Sequence, residues 1–197
     1  MLKKIAVGIS GRHVHVTQEQ LEILFGAGHQ LTPMKELSQP GQFAAEEKVD
    51  LISPDGKVLA GVRILGPVRP AGQVEISQSD AIRYKFVAPV RSSGDVVGSG
   101  KATLVGPKGS VELAEGVIIA DRHIHFSTEE AKTFGVKDRE LVSIKIGGTK
   151  PGILDQVLCR VHDNFRLDCH LDTDDGSAFL LKNGDLVELV KKYEIVE

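Results

Sequence analysis

Short segments rich in Val, Ile and Leu recur along the chain, at Lys4–Ile9, Val49–Ile52, Val58–Ile64, Gln73–Ile76, Lys101–Val105, Val117–Ala120, Leu141–Ile146, Gln156–His162 and Asp185–Val190. Branched and apolar residues in short runs predict β-strands. Between them stand turn formers such as Pro54-Asp55-Gly56, Gly106-Pro107-Lys108-Gly109 and Asn183-Gly184, where Gly and Pro supply the backbone angles that tight turns need. Helical patterning is confined to a few short stretches. Regularly spaced short strands of this kind predict a predominantly β barrel or sandwich.

Composition supports many short elements joined by turns, since 21 Gly and 8 Pro stand against 7 Phe, 2 Tyr and no Trp. A chain of 197 residues, 41% hydrophobic and 26% charged, has room for one domain or two small ones and excludes disordered, collagen-like and coiled-coil classes. The formal net charge of −3 gives no basic footprint for a nucleic acid, so small ligands are expected. Met1–Ser10 contains no apolar run of signal-peptide length, and no stretch of 18 apolar residues occurs anywhere; the expectation is a soluble cytoplasmic protein with no membrane partner. The two cysteines, Cys159 and Cys169, fit neither a disulfide framework nor a zinc ribbon or C-x-x-C redox motif, and are expected to be free core thiols.

The chain carries an internal repeat. Gly11-Arg12-His13-Val14-His15-Val16-Thr17 is matched by Asp121-Arg122-His123-Ile124-His125-Phe126-Ser127, and each copy runs into a capping-box pattern, Thr17 with Gln20 and Ser127 with Glu130. Each His-x-His therefore ends a strand just before a short helix. Weaker echoes occur at Glu75-Ile76-Ser77 followed by Asp80, and at His170-Leu171-Asp172-Thr173, where Thr173 is a poor cap because Gly176 holds the third helical position.

Residues two apart on a strand project from the same face and can grip one ion. Neutral imidazole suits zinc and its neighbours, and a carboxylate can complete the shell. If the four units are arranged pseudo-symmetrically, their strand ends bring together His13, His15, Glu75, His123, His125 and His170. Six donors fit two ions better than one. His29 and His162 stand outside the repeat and read as structural or surface histidines, and alternation turns Cys169 away from its neighbour His170. In Arg63-Ile64-Leu65-Gly66-Pro67-Val68-Arg69-Pro70, close ahead of Glu75, an arginine could pair with a phosphate or carboxylate oxygen. Gly98-Ser99-Gly100-Lys101-Ala102 lacks the first glycine and the final Ser or Thr of a nucleotide P-loop and is not one.

Taken together, the segments GISGRHVHVT, PMKELSQPGQFAAEE, VRILGPVRPAGQVEIS, APVRSSGDVVGSG, GVIIADRHIHFS and CHLDTDDG resemble the PduL-type phosphate propanoyltransferases, phosphotransacylases associated with bacterial propanediol degradation. The likeness runs in order from about Ala6 to Val190. It implies an enzyme that interconverts short-chain acyl-CoA (propionyl-CoA or acetyl-CoA) plus inorganic phosphate with acyl phosphate plus CoA at two zinc ions. His13, His15 and Glu75 match the family's ligands for one ion, and His123, His125 and His170 those for the ion that meets the CoA sulfur. Arg69 matches the phosphate-binding arginine. Ser10, Lys35, Arg63 and Leu65 fall where the family contacts CoA, and Ser177 stands where that contact is often Asn.

The implied fold is two small β-barrels with short capping helices. Residues 1–11 with 121–197 would form the first barrel, 12–25 with 47–120 the second, and 26–46 a loop excursion near the CoA site. Direct attack of phosphate on the thioester, without an acyl-enzyme, suits these residue types, since neither Ser92 nor Ser93 lies in a nucleophile elbow. A metallohydrolase and a non-catalytic metal-binding protein are the competing classes. The first would not need phosphate, and the second leaves Arg69 without a role. Packaged relatives often carry an amphipathic extension ahead of the first His-x-His, for which the 12 residues before His13 are too few, so a freely cytoplasmic enzyme is expected. A homo-oligomer is compatible with the sequence.

Overall fold

All nine apolar segments fall on strands in the computed structural model, which describes residues 3–191. In chain order the elements are β1 (Lys4–Ser10), β2 (His13–His15), α1 (Gln18–Phe25), β3 (Pro33–Glu36), β4 (Phe43–Ile52), β5 (Val58–Gly66), β6 (Gln73–Glu75) and α2 (Gln78–Tyr84). There follow β7 (Val90–Arg91), β8 (Gly100–Val105), β9 (Ser110–Ala120), β10 (His123–Phe126), α3 (Thr128–Phe134), β11 (Leu141–Ile146), β12 (Gly152–Val161), β13 (Asp168–Asp172), α4 (Thr173–Ala178) and β14 (Leu186–Val190).

The chain divides into two units. A terminal unit joins Met1–Ser10 and Ser38–Pro40 to Asp121–Glu197, and a central unit holds Gly11–Leu37 and Gly41–Ala120. In the terminal unit, strands β1-β13-β10-β12-β11-β14 close into a six-stranded barrel. In the central unit β4 pairs with β5, β5 with β2, β2 with β6, β6 with β9, β9 with β8, and β8 back to β4. That ring is a second six-stranded barrel, with β3 and β7 paired to its outside on β4 and β9. Closure leaves neither ring with an open sheet edge.

The segment 26–46, expected as a loop excursion, is mostly part of the central unit. Its β3 pairs antiparallel with β4, which already begins at Phe43. Only Ser38–Pro40 belongs to the terminal unit, where the Gln39 amide donates to the Arg166 carbonyl and accepts from its backbone N–H at 2.9 and 3.1 Å. Gly11 likewise lies in the central unit.

Strand by strand, the two rings have the same pairing directions. β2 lies parallel to β5 and antiparallel to β6, as β10 lies parallel to β12 and antiparallel to β13. The strand leading into each His-x-His is exchanged between the repeats. β1 runs into β2 yet pairs with β13 and β14 of the terminal barrel, whereas β9 runs into β10 yet pairs with β6 and β8 of the central barrel.

Each barrel has its own core, and the repeat fills both from matching positions. Val14, Val16, Leu24, Val74, Ile76 and Val117 of the central core correspond to Ile124, Phe126, Phe134, Cys169, Leu171 and Val7 of the terminal core. Burying each such side chain contributes roughly 1.5–3 kcal/mol. The middle residue of each His-x-His is flanked by two core residues: Val14 by Ile64 and Val74, and Ile124 by Cys159 and Cys169. The cysteines thus stand where the other barrel has Ile and Val. Both are fully buried free thiols, and burial pushes the Cys159 thiol up to about 12 and that of Cys169 further still.

Candidate metal centres

Four helices begin in the same way, each with its cap two residues after a potential ligand. Thr17, Ser77 and Ser127 accept from the backbone N–H of Gln20, Asp80 and Glu130, and Gln20 and Glu130 close reciprocal capping boxes. The fourth cap is Asp172 rather than Thr173; its carboxylate accepts from the Asp175 N–H at 2.7 Å. That shift places the acidic Asp175 at the third helical position, and Gly176 falls one place beyond it. The ligand positions are then His15, Glu75, His125 and His170, each followed by one core residue and a cap. The repeat also duplicates an ion pair. Arg12 Nε meets Asp80 Oδ2 at 3.1 Å, and Arg122 Nε meets Asp175 Oδ2 at 3.4 Å, tying the start of each His-x-His to the helix that follows the facing strand.

Antiparallel register then assembles the donors. In the central unit His13 lies opposite Glu75 and His15 opposite Gln73. In the terminal unit His123 lies opposite His170 and His125 opposite Asp168. Alternation sends the intervening Val14, Val74, Ile124 and Cys169 into the cores and leaves the polar residues together on the other face. Two groups result, His13–His15–Glu75 and His123–His125–His170, and within each the donor atoms all lie within 4.8 Å of one another.

Three imidazoles are oriented by backbone carbonyls. His13 Nδ1 bonds Gly11 O at 3.0 Å, His15 Nδ1 bonds Leu65 O at 3.1 Å and His123 Nδ1 bonds Asp121 O at 2.8 Å. A carbonyl only accepts, so in the neutral ring Nδ1 carries the hydrogen and Nε2 keeps its lone pair for an ion. His125 Nδ1 is buried with no hydrogen-bond partner, an arrangement that a protein rarely leaves uncompensated. Closely grouped lone pairs with an orphaned nitrogen among them fit a divalent ion, and the borderline-soft donor set suits zinc.

The electrostatics keep His15 and His125 neutral and Glu75 ionised, and favour the charged form of His13. Burial, with the positive charges of His13 and Arg69, pushes His15 down to about 3. Burial, with His123, His170 and Arg160, pushes His125 down to about 2. Burial alone would raise Glu75, but the adjoining His13 and His15 and the Ser93 hydroxyl outweigh it and hold the carboxyl well below the usual range. His13 is raised because its contact with Glu75, 3.4 Å from Nε2 to Oε2, outweighs its own burial.

The remaining candidates are divided between the two units. Arg69 is close enough to the central group for its charge to act on both His13 and His15, and its Nη1 donates to Ser93 Oγ at 3.4 Å. Arg63 sits beside His13 in register, its Nη1 donating to the carbonyls of Ala45 and Glu46. Leu65 serves the site through its carbonyl on His15, and Lys35 is exposed on β3. In the terminal unit Ser10 pairs with Asp172, and Ser177 is exposed on α4. His29 is bonded to Glu47 at 2.9 Å and stacked on Phe25, a structural role.

Sequence reasoning missed three polar residues around the donors. Gln73 donates to Glu75 Oε1 at 2.6 Å and to Ser93 Oγ at 3.0 Å, and its Oε1 accepts from the Gly94 N–H at 2.8 Å. Ser93 thereby links Arg69 and Gln73, and Asp168 adjoins His170 with Oδ2 3.0 Å from Nε2. The spacing of Gln73 and Asp168, two residues ahead of Glu75 and His170, is the one signal that could have found them.

Twin six-stranded barrels, each presenting a His-x-His completed by a third donor from the facing strand, define a duplicated scaffold with two candidate metal-binding groups. Residues 6–182 match the model of the phosphate propanoyltransferase family. The chain is similar to phosphate propanoyltransferases of Thermotoga maritima, 48% identical over 95% of this chain and 89% of the relative, and of Leptotrichia buccalis, 49% identical over 87% and 81%. That of Lachnoclostridium phytofermentans is 45% identical over 94% and 87%. The chain belongs to the phosphate propanoyltransferase family and is an acyltransferase that acts with phosphate. No helix among the described residues is long and apolar enough to cross a membrane.

Proposed function

We propose that the chain interconverts short-chain acyl-CoA (propionyl-CoA or acetyl-CoA) plus inorganic phosphate with acyl phosphate plus CoA, using two zinc ions held by His13, His15 and Glu75 and by His123, His125 and His170. The observation that carries this reading is the double convergence of three donors on matching strands, in a chain whose relatives are named phosphate propanoyltransferases. Bound divalent ions supply Lewis-acid stabilisation of developing negative charge and a soft seat for sulfur.

The protein's own residues do the positioning. Arg69, steadied by Ser93, offers a planar fork to a phosphate dianion and aligns it for attack. A phosphate oxygen forms a bond to the thioester carbonyl carbon, and the carbon–sulfur bond breaks with its electron pair leaving on CoA as thiolate. No side chain is acylated. The ammonium of Lys35 and the guanidinium of Arg63 suit the phosphates of CoA, with Ser10, Leu65 and Ser177 as further contacts.

The test is free-thiol release from acetyl-CoA and propionyl-CoA, with and without phosphate, for the wild type and His123→Ala. Phosphate-dependent release that the variant loses is expected. Equal release without phosphate would make the chain a hydrolase, and an isolable acyl-protein would overturn direct displacement.

A further inference from the structure

Each donor group occupies three corners of a block formed by two residues on each of two antiparallel strands. In the central unit the corners are His13, Glu75, His15 and Gln73; in the terminal unit they are His123, His170, His125 and Asp168. The fourth corner is polar and buried in both, Gln73 at 2% exposure and Asp168 at 7%. In both it lies two residues before the third ligand, on the same strand and facing the same way. Neither belongs to the converging donor sets.

Their chemistry is complementary to the ligand beside them. Where the third ligand is a carboxylate, the corner residue is an amide whose Nε2–H donates to Glu75 Oε1 at 2.6 Å. Where the third ligand is an imidazole, the corner residue is a carboxylate with Oδ2 3.0 Å from His170 Nε2. Each corner is braced in turn. Gln73 is fixed by Ser93 and the Gly94 N–H, and Asp168 accepts from the Ser38 hydroxyl. Strand β1 leaves room for the carboxylate by having Gly8 beside it, where an added Cβ would come within 3.1 Å of Asp168 Oδ2.

We propose that Gln73 and Asp168 are equivalent positioning residues, each setting the orientation of the third metal ligand of its own site. The inference rests on the two donor groups being metal sites. Partners behind a metal ligand typically govern affinity by 10–100-fold. The carboxylate and imidazole ligands therefore need opposite partners, a donor for Glu75 and an acceptor for His170.

The experiment titrates the metal-stripped full chain with Zn2+ against a chromophoric chelator, and with Co2+ by its visible spectrum. Glu75→Ala and His170→Ala serve as references that assign each equivalent to a site. Wild type is expected to bind two equivalents; fewer would refute the metal-site reading itself, before any corner variant is examined. Asp168→Ala should weaken the His170 site by about 10–100-fold and change its cobalt bands while leaving the other site alone, and Gln73→Ala should do the reverse. Asp168→Asn, which keeps an acceptor in place, should recover part of the affinity, and it supplies the readout if the alanine variant does not fold. Unchanged affinities and spectra at both sites, or equal weakening at both, would overturn the proposal.

Discussion

The central and terminal donor groups share a backbone plan and differ in how their second histidine is held and in what completes them. His15 is fixed by a hydrogen bond to the Leu65 carbonyl. Its counterpart His125 has no partner for Nδ1 and instead packs against the Phe165 ring, 4.4 Å between centroids. The central group is completed by an anionic carboxylate with Arg69 nearby, the terminal group by a third imidazole. A divalent ion in the first would keep a net charge near +1, and in the second near +2. Duplication conserves the positions from which ligands project, and a few side chains then give each position its charge.

The sharpest way to break this comparison is to convert one donor set into the other. Glu75→His should retain a bound ion yet lower phosphate-dependent turnover by about 100-fold, because the carboxylate that balances Arg69 is gone; turnover near wild type would show the two sets to be interchangeable. A second experiment compares the barrels' interiors. Phe126→Ala should cost roughly 3–5 kcal/mol in denaturant unfolding, whereas the equivalent Val16→Ala removes two methyls and should cost about 2 kcal/mol. Equal losses would mean that the matched positions are not packed as the register implies.

The smallest effect concerns a clasp of the central unit. Glu47 accepts from the Thr32 N–H, the Thr32 hydroxyl and His29, and these contacts hold its carboxyl below the usual range although burial opposes them. A carboxyl depressed in the folded state stabilises the fold above its unfolded pKa of about 4.3, and loses that contribution as pH falls through the folded value. Glu47→Gln should therefore be less stable than wild type near neutral pH and should converge with it in acid. A gap independent of pH would show that the ion, as opposed to the packing, contributes nothing.

Much of this molecule was legible because the repeat is written in residue types that mark strand ends and helix starts, while the choice of two barrels over a sandwich rested on the family resemblance. His-x-His followed by a capping box fixed the ends of β2 and β10, and the Val- and Ile-rich runs marked the barrel staves. Pro33-Met34-Lys35-Glu36 and Val90-Arg91 escaped notice because β3 and β7 lie outside the rings and are exposed, so burial had imposed no pattern on them. Asp172 was passed over for Thr173 although Gly176 at the third position already counted against Thr173, and the hydrogen bond to the Asp175 N–H settles the cap one residue earlier. Gln73 and Asp168 were overlooked for a different reason, since their spacing ahead of Glu75 and His170 does not say what they face. Their role depends on which residue faces which across two strands, a property of pairing register and not of local sequence.

The exchange of leading strands has a consequence for biosynthesis. As the chain emerges from the ribosome, every stave of the central barrel is available once Ala120 has appeared, and that unit can close. Strand β1, made ahead of the other described strands, must wait for β13 and β14, which follow all of the central unit's strands. At typical elongation rates of about 5–20 residues per second, the buried apolar side chains of Ile5 and Val7 spend roughly 10–40 seconds without their final partners. Among the described strands, β1 is thus the one longest exposed to capture by chaperones or by neighbouring nascent chains.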